Sequence, residues 1–286
     1  NNQSVVDNLI ECGYAHNGFY IELDLSKQVR WSFVLEYKDY SLDQLFNNFK
    51  ATTRNLIRKA IKHQVKIKEL SYDELHIFKD VVDSTGERRH FECRPLSYYQ
   101  SMYQHFHEDG YIKFLVATLN LNEYMMTIEE EMKDFLLKIE KLSDNPKSKG
   151  KHKEYQEALN GLMKKKKEAE SLLVTHGSDL VLAGGMFMFY GDESIYLYSG
   201  SYQELMGFNG QYLIQWEVIQ QSYQLGLKKH NFYGISGDFS KSNIRWGVYE
   251  FKRGFDGVVY EYIGDFDYVL KPIQYRLSQL NKKLRG

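Results

Sequence analysis

The chain has 286 residues, a formal net charge of −1, two cysteines, three prolines and 23 tyrosines. A near-neutral chain is no general nucleic-acid binder, so any contact with a polyanion must be local. Cys12 and Cys93 have neither metal-ligand spacing nor a disulfide framework, which fits a reducing cytoplasm, and no apolar run reaches the ~18 residues of a membrane span.

In chain order, Val5–Ile10 reads as a short helix ending at Gly13. It is already under way near Asn1, which points to a longer protein upstream. Tyr20–Leu25 alternates as a strand, and Arg30–Tyr37 as a second, with Trp31, Phe33 and Leu35 on one face. Ser41 caps a helix running to Lys62, with a break at Thr52–Thr53. Val65–Leu70 is a strand, Glu74–Ser84 and Leu96–His107 are helices, and Tyr111–Leu119 is a strong strand. Farther on, Leu180–Tyr190 is a strand interrupted at Gly184–Gly185 and turned at Gly191 into Ser194–Ser199. Tyr212–Gly226 is a helix, Asn231–Ile235 is a strand followed by Gly247–Gly254 and Val258–Ile263 as further strand segments, and Tyr268–Leu284 is a closing helix. Helices alternating with short strands give an α/β (α+β) fold.

Leu121–His176 differs from both flanks. Met125, Ile128, Met132, Phe135, Ile139 and Leu142 repeat in 3-4 alternation, as do Tyr155, Leu159, Leu162, Lys166, Ala169 and Leu173. Ser143–Lys153, with Pro146 and Gly150 as breakers, separates them. The simplest solution is an antiparallel coiled-coil arm, each seam burying the other, with Lys166 snorkelling out of it. The domain organisation is therefore 1–118, an inserted arm at 119–177, and a resumed domain at 178–286. From Lys147 to Lys167 eight lysines face two glutamates, whereas the first arm helix carries Glu129–Glu131. This is either a solvated face or a basic end that meets a polyanion such as an RNA backbone.

Four stretches can carry chemistry. Arg88, Arg89 and Arg94 precede Tyr98 and Tyr99, and Pro95 places Arg94 at the lip of a helix and Tyr98 one turn on. The pattern is an anion site or a surface salt-bridge cluster. Tyr196 and Tyr198 are two apart on a strand and so share one face, lining either a polar pocket or an ordinary amphipathic strand. Lys252, between Phe251 and Arg253-Gly254, is either a desolvated, directed cation or a strand-end lysine in solvent. Arg54, Arg58 and Lys62 form an i, i+4, i+8 basic stripe that serves phosphate or simply faces water. His105 and His107 flank Phe106 but lack a nearby third ligand, and the histidines make no HExxH, so no metal is expected.

Together these segments resemble the Fem family of non-ribosomal peptidyltransferases. The resemblance runs through Gly18–Leu35, Arg54-Asn55 with Arg58-Lys59, Thr85-Gly-Glu-Arg to Arg94-Pro-Leu-Ser-Tyr-Tyr99, and Tyr196-Leu-Tyr-Ser-Gly-Ser201. Its most specific parts are Asn231-Phe-Tyr-Gly-Ile-Ser-Gly-Asp-Phe239 and Gly247-Val-Tyr-Glu-Phe-Lys-Arg-Gly-Phe255. The arm is similar to that of the staphylococcal members. The resemblance implies acetyltransferase-like (GNAT-related) subdomains, one interrupted by an arm similar to the tRNA-binding hairpin of seryl-tRNA synthetase. It also implies further upstream residues that complete the first subdomain.

The implied reaction moves an aminoacyl group, typically glycine, from aminoacyl-tRNA to an amine of the lipid II stem peptide or growing cross-bridge. This belongs to peptidoglycan synthesis, cell shape and antibiotic resistance. The resemblance assigns Arg94, Tyr98, Tyr196 and Tyr198 to the precursor site, and Lys252 to catalysis and precursor phosphate. It makes Lys147, Lys149, Lys151, Lys153, Lys164 and Lys165 candidates for tRNA contact. No cofactor is implied beyond aminoacyl-tRNA as co-substrate. Partners would be that tRNA, lipid II at the inner membrane face, and other Fem-type proteins or a second copy of the chain. The location would be cytoplasmic, peripheral to the membrane through the lipid-linked substrate. No general base stands out, Asp238 being a weak candidate. Two alternatives remain: an acyl-CoA-dependent GNAT N-acyltransferase, which lacks here the expected glycine-rich pyrophosphate loop, and a non-catalytic immunity or scaffold protein acting through its arm.

Overall fold

The computed structural model describes residues 2–23, 28–142 and 148–285, without the side chains at 279 and 281–285. Helix α1 (Gln3–Glu11) passes through Gly13, at φ +89°, into strand β1 (Tyr14–His16). The strand expected at Tyr20–Leu25 is irregular over its described part, and residues 24–27 lie outside the description. Side chains take the backbone partner that a ladder would need: the Tyr20 carbonyl accepts from Arg30 Nη1 at 2.8 Å and Trp31 Nε1 at 3.3 Å. Strand β2 (Trp31–Glu36) is buried on both faces rather than one.

In place of one helix from Ser41 to Lys62, two form: α2 (Leu42–Asn48) and α3 (Ala51–Lys62). Ser41 and Gln44 make a reciprocal capping box at the start of α2. The break falls at Phe49–Lys50, not Thr52–Thr53, because Phe49 buries its ring against Phe46 and Trp216 in extended backbone. Arg54 then donates to the carbonyls of Asn47 and Phe49, satisfying the end of α2.

Strand β3 (Lys66–Glu69) leads through a 3-10 turn to α4 (Leu75–Arg89), which outruns its expected end at Ser84 and stops at left-handed His90. Then come α5 (Leu96–Phe106), β4 (Ile112–Asn120), α6 (Leu121–Glu140) and α7 (Lys149–His176). Strand β5 (Asp179–Tyr190) runs unbroken through Gly184–Gly185, contrary to expectation, and turns at Gly191 into β6 (Glu193–Ser201). The chain closes with α8 (Gly210–Gln224), β7 (Lys229–Gly234), α9 (Trp246–Lys252), β8 (Val258–Glu261), β9 (Phe266–Tyr268) and α10 (Pro272–Arg285).

The chain divides into two compact units. The larger, Tyr37–His230, holds the antiparallel run β3-β4-β5-β6. Phe114, Val116 and Met186 face α4 and α5 and pack on Leu75, Phe78, Val82 and Tyr99. Ala117, one residue on from Val116, faces the other way, toward Gly210 of α8. Helix α4 lies directly on strand backbone: an added Cβ at Gly200 would sit 2.2 Å from the Val81 carbonyl oxygen.

Helices α6 and α7 form an antiparallel hairpin rising from the paired ends of β4 and β5, where Asn120 faces Asp179. Asn120 caps α6 by accepting from Asn122 and Glu123 N–H at 3.0 and 3.1 Å, and donates to Asp179 at 2.7 Å. Every seam residue expected from the 3-4 alternation is buried or half-buried, and the Phe135 and Tyr155 rings pack at a tilt with centroids 5.8 Å apart. Lys166 leaves the seam to meet Glu129 at 2.7 Å. Gly150, expected as a breaker, lies within α7, and Pro146 and Lys147 lie outside the described residues.

The smaller unit joins Asn1–Glu36 to Asn231–Gly286. Here β2 pairs antiparallel with β8, and β1 with β9. Phe33, Phe232 and Phe255 are fully or nearly fully buried and form its centre.

Gly200→Ala tests the contact of α4 with β6. The obstacle is backbone, which cannot rotate away, so the variant should lose about 3 kcal/mol or more. A urea midpoint equal to that of the wild type would show that the helix does not bear on the strand there.

Candidate active site

In the larger unit, Pro95 is the N-cap of α5, in extended backbone, so Arg94 stands just outside the helix and Tyr98 in its first turn. The Arg94 guanidinium lies 5.5 Å over the Tyr98 ring. Tyr98, Tyr99 and Tyr198 meet edge to face, with ring centroids 5.6 to 6.0 Å apart, and the hydroxyls of Tyr98 and Tyr198 are 3.4 Å apart. A hydrogen bond with Tyr198, and then the charge interaction with it, raises the Arg94 pKa. The result is a fixed cation over phenols that can both donate and accept. Such an arrangement suits an anionic or peptide-like group.

Tyr99, which the sequence places beside Tyr98 without assigning it a role, completes this cluster. It is fully buried, its hydroxyl has no hydrogen-bond partner among the described residues, and burial pushes its pKa up. The neighbouring arginines do not join in. Arg88 belongs to α4 and donates to the Ser201 carbonyl at 3.2 Å, tying helix to strand.

Tyr196 and Tyr198 do not share a face, which corrects the spacing argument. The register places Met186 opposite Tyr198 but Phe187 opposite Tyr196, so Leu197 is an extra residue in a β-bulge. Tyr198 and Leu197 both pack toward α4 and α5. Tyr196 turns the other way, stacks on Phe187 at 5.2 Å, and its hydroxyl accepts from Gln211 of α8 at 2.5 Å. Burial raises its pKa, so it is a neutral phenol. It adjoins a buried chain in which Ser194 meets His230 at 2.8 Å and His230 meets Gln215 at 2.9 Å. Gln211 and Gln215 were missed; two glutamines four apart in an otherwise apolar helix face were the signal for them.

In the smaller unit, Lys252 is the last residue of α9, not a strand-end residue in solvent, and only 5% of it is exposed. Its Nζ donates to the carbonyls of Gly234 at 2.7 Å and Tyr233 at 3.4 Å. Burial lowers its pKa to about 7. The acceptors are set by the Asn231-Phe-Tyr-Gly segment. Asn231 Oδ1 accepts the Tyr233 N–H at 2.8 Å, holding Tyr233 in a left-handed conformation at φ +63°. Gly234 beside it packs closely, and an added Cβ would lie 2.7 Å from a Val29 methyl and force it to shift. With two N–H groups engaged, an ammonium keeps one to direct at a ligand, and a neutral amine presents its lone pair. Asp238 is a poor base: donors from Ser240 and Asn243 hold its carboxyl below the usual range.

Lys149, Lys151 and Lys153 are exposed at the start of α7, and Lys164 is exposed farther along it. Lys165 is half-buried and faces a cleft against α3. Among the described residues no helix is long and apolar enough to cross a membrane, and no group of three or more His, Cys, Asp or Glu is placed to hold a metal.

Comparison with known proteins bears on these residues. Aminoacyltransferase FemA of Staphylococcus epidermidis is 33% identical over 291 residues, covering 98% of this chain and 69% of the relative. Aminoacyltransferase FemA of Staphylococcus aureus (strain MRSA252) is 31% identical over 275 residues, covering 93% of this chain and 64% of that one. The crystal structure of FemX superposes with a TM-score of 0.74 at 27% identity, covering 96% of this chain and 71% of that chain. The FemAB family model matches residues 1–283, and the chain belongs to the FemAB family.

Proposed function

We propose that this FemAB aminoacyltransferase takes its aminoacyl group, glycine first among the candidates, from an aminoacyl-tRNA and delivers it to an amine of the lipid II stem peptide or growing peptidoglycan cross-bridge. The observation that carries the reading is the buried Lys252, held by two backbone carbonyls in a chain whose relatives are aminoacyltransferases. The ester that joins an amino acid to tRNA is already activated, so no enzyme nucleophile is needed. The acceptor amine attacks the ester carbonyl, the C–N bond forms, the C–O bond breaks, and the tRNA hydroxyl leaves. Lys252 supplies a directed N–H to the developing oxyanion or to a precursor phosphate. Arg94, Tyr98 and Tyr198 bind the precursor, and Tyr196 serves as a neutral, hydrogen-bonded support behind the strand. The protein acts at the inner membrane face through its lipid-linked substrate.

Radiolabelled glycine should pass from glycyl-tRNA to lipid II when both are supplied to the full-length protein. Absence of transfer with glycyl-, seryl- and alanyl-tRNA alike would reject the donor assignment.

Lys252→Met should lower transfer by about 10²-fold or more while the chain stays folded. Near-normal turnover would remove Lys252 from the mechanism. The same variant reads the buried charge. The folded pKa of about 7 lies below the ordinary 10.5, so the penalty for the buried ammonium is complete below pH 7. It is relieved as pH rises from 7 toward 10.5, because the folded state then sheds its proton while the unfolded state keeps it. Wild-type Tm relative to Lys252→Met should therefore climb across that window; a flat difference would contradict the depressed pKa.

Arg94→Lys keeps the charge but loses the planar fork. It should raise KM for lipid II about ten-fold with little change in kcat. An unaltered KM would take Arg94 out of precursor binding.

A further inference from the structure

The larger unit has a cleft of ≈ 250 Å³ between α3 and the proximal half of the helical hairpin. Arg58, Lys59 and Lys62 of α3 and Lys165 of α7 line it, against a single carboxylate, Glu131 of α6. Glu131 already pairs with Lys62 at 2.7 Å. Arg58, Lys59 and Lys165 line the concavity with no second carboxylate among the lining residues, the next acidic charge being Glu168 of α7, which acts on Tyr124. Like charges gathered around a hollow repel one another, and an anion in the hollow reverses the sign of that interaction.

His63, which follows α3, lines the same cleft. It is 7% exposed, and its Nδ1 is buried with no hydrogen-bond partner among the described residues. Burial, then the charges of Lys165, Lys59 and Lys62, lower its pKa to about 4, so the ring is neutral at pH 7. A neutral imidazole with an unanswered nitrogen adds a further polar group without adding to the repulsion. Lys164 and Lys167, on the same helix as Lys165, are exposed as well. Several cations gathered at one hollow match the closely spaced phosphates of a nucleic-acid backbone.

We propose that this cleft is a phosphodiester-binding site for the RNA of the aminoacyl donor, formed by Arg58, Lys59 and Lys165 with His63 behind them. It rests on the reading of aminoacyl-tRNA as donor. It places the RNA contact on the flank of the hairpin, shared with α3, and not on the lysines nearest the tip. Lys165 to Lys153 is twelve residues of helix, about 18 Å along the axis, so the two placements are separable.

The test is the salt dependence of glycyl-tRNA binding to the full chain. Lys59→Gln with Lys165→Gln removes two cleft charges, one from an exposed and one from a half-buried side chain. Lys228→Gln with Lys271→Gln removes two charges elsewhere. The slope of log Kd against log salt should become shallower by nearly two for the cleft pair, with Kd weakened about ten-fold or more near physiological salt. The control pair should match the wild type, and Lys59→Arg with Lys165→Arg should restore the slope. The His63 ring signals should shift on adding glycyl-tRNA to wild type and not to the cleft pair.

A cleft pair whose slope equals that of the wild type overturns the site and leaves the donor reading standing. Wild-type protein that binds no tRNA overturns the donor reading, and the site with it. Loss of binding to phosphatidylglycerol vesicles with tRNA binding unchanged would make the cleft a lipid contact and overturn the proposal.

Discussion

The larger unit is arranged around one close approach, that of the α4 backbone to β6 at Gly200. With no side chain between them, helix and strand meet main chain to main chain, and the helix cannot slide without opening a gap. Gly184 repeats the device on β5, where an added Cβ would lie 3.0 Å from the Phe78 ring. The fixed helix then carries Phe78 onto Tyr99 and Phe114, at 5.2 Å from each. Helix α5 is thereby positioned, and with it the pair Tyr98–Tyr99 that meets Tyr198. The phenol cluster is thus set by glycines that belong to neither α5 nor the cluster.

The smaller unit keeps a lysine where a lysine is expensive. Its environment accepts two of the ammonium hydrogens through backbone carbonyls and, among the described residues, supplies no carboxylate partner. Desolvation alone then sets the pKa. A carboxylate partner would have held the group charged and quenched. Carbonyl partners leave it oriented, weakly held and near its own titration point at neutral pH. The left-handed Tyr233 that aims one of those carbonyls is itself strained, and strain of this kind gathers where a site needs it.

Local features were legible in the chain and distant ones were not. The seam of the hairpin, the Ser41 cap and the turn at Gly191 are written within a few residues of where they act. The seam even declared its flaw, since Lys166 does leave it. The burial of Lys252 among aromatics was one of two readings left open, and the fold decided between them. The bulge at Leu197 was invisible, because nothing in Ile195-Tyr-Leu-Tyr198 marks one residue as surplus; the partner strand decides it. The lost strand near Tyr20 has the same cause, its carbonyl being claimed by side chains ten and eleven positions away. The cleft escaped notice for a like reason. The Arg54, Arg58, Lys62 stripe suggested a uniform basic face, but Arg54 is spent on closing α2 and the others need α7 to become a hollow.

The Asn120–Asp179 pairing at the root of the hairpin has a consequence for chain entropy. Strands β4 and β5 are antiparallel neighbours, yet the whole of α6 and α7 lies between them. A flexible connection of that length would tax their pairing through loop closure. Two stiff helices that return to their starting point do not, because the hairpin closes the loop by its own seam and delivers both ends side by side, with Leu121 N–H on the Ser178 carbonyl at 2.8 Å. To the sheet, the long insertion behaves as a tight turn. Its length is therefore free to vary by whole seam repeats while the register of β4 on β5 stays as it is.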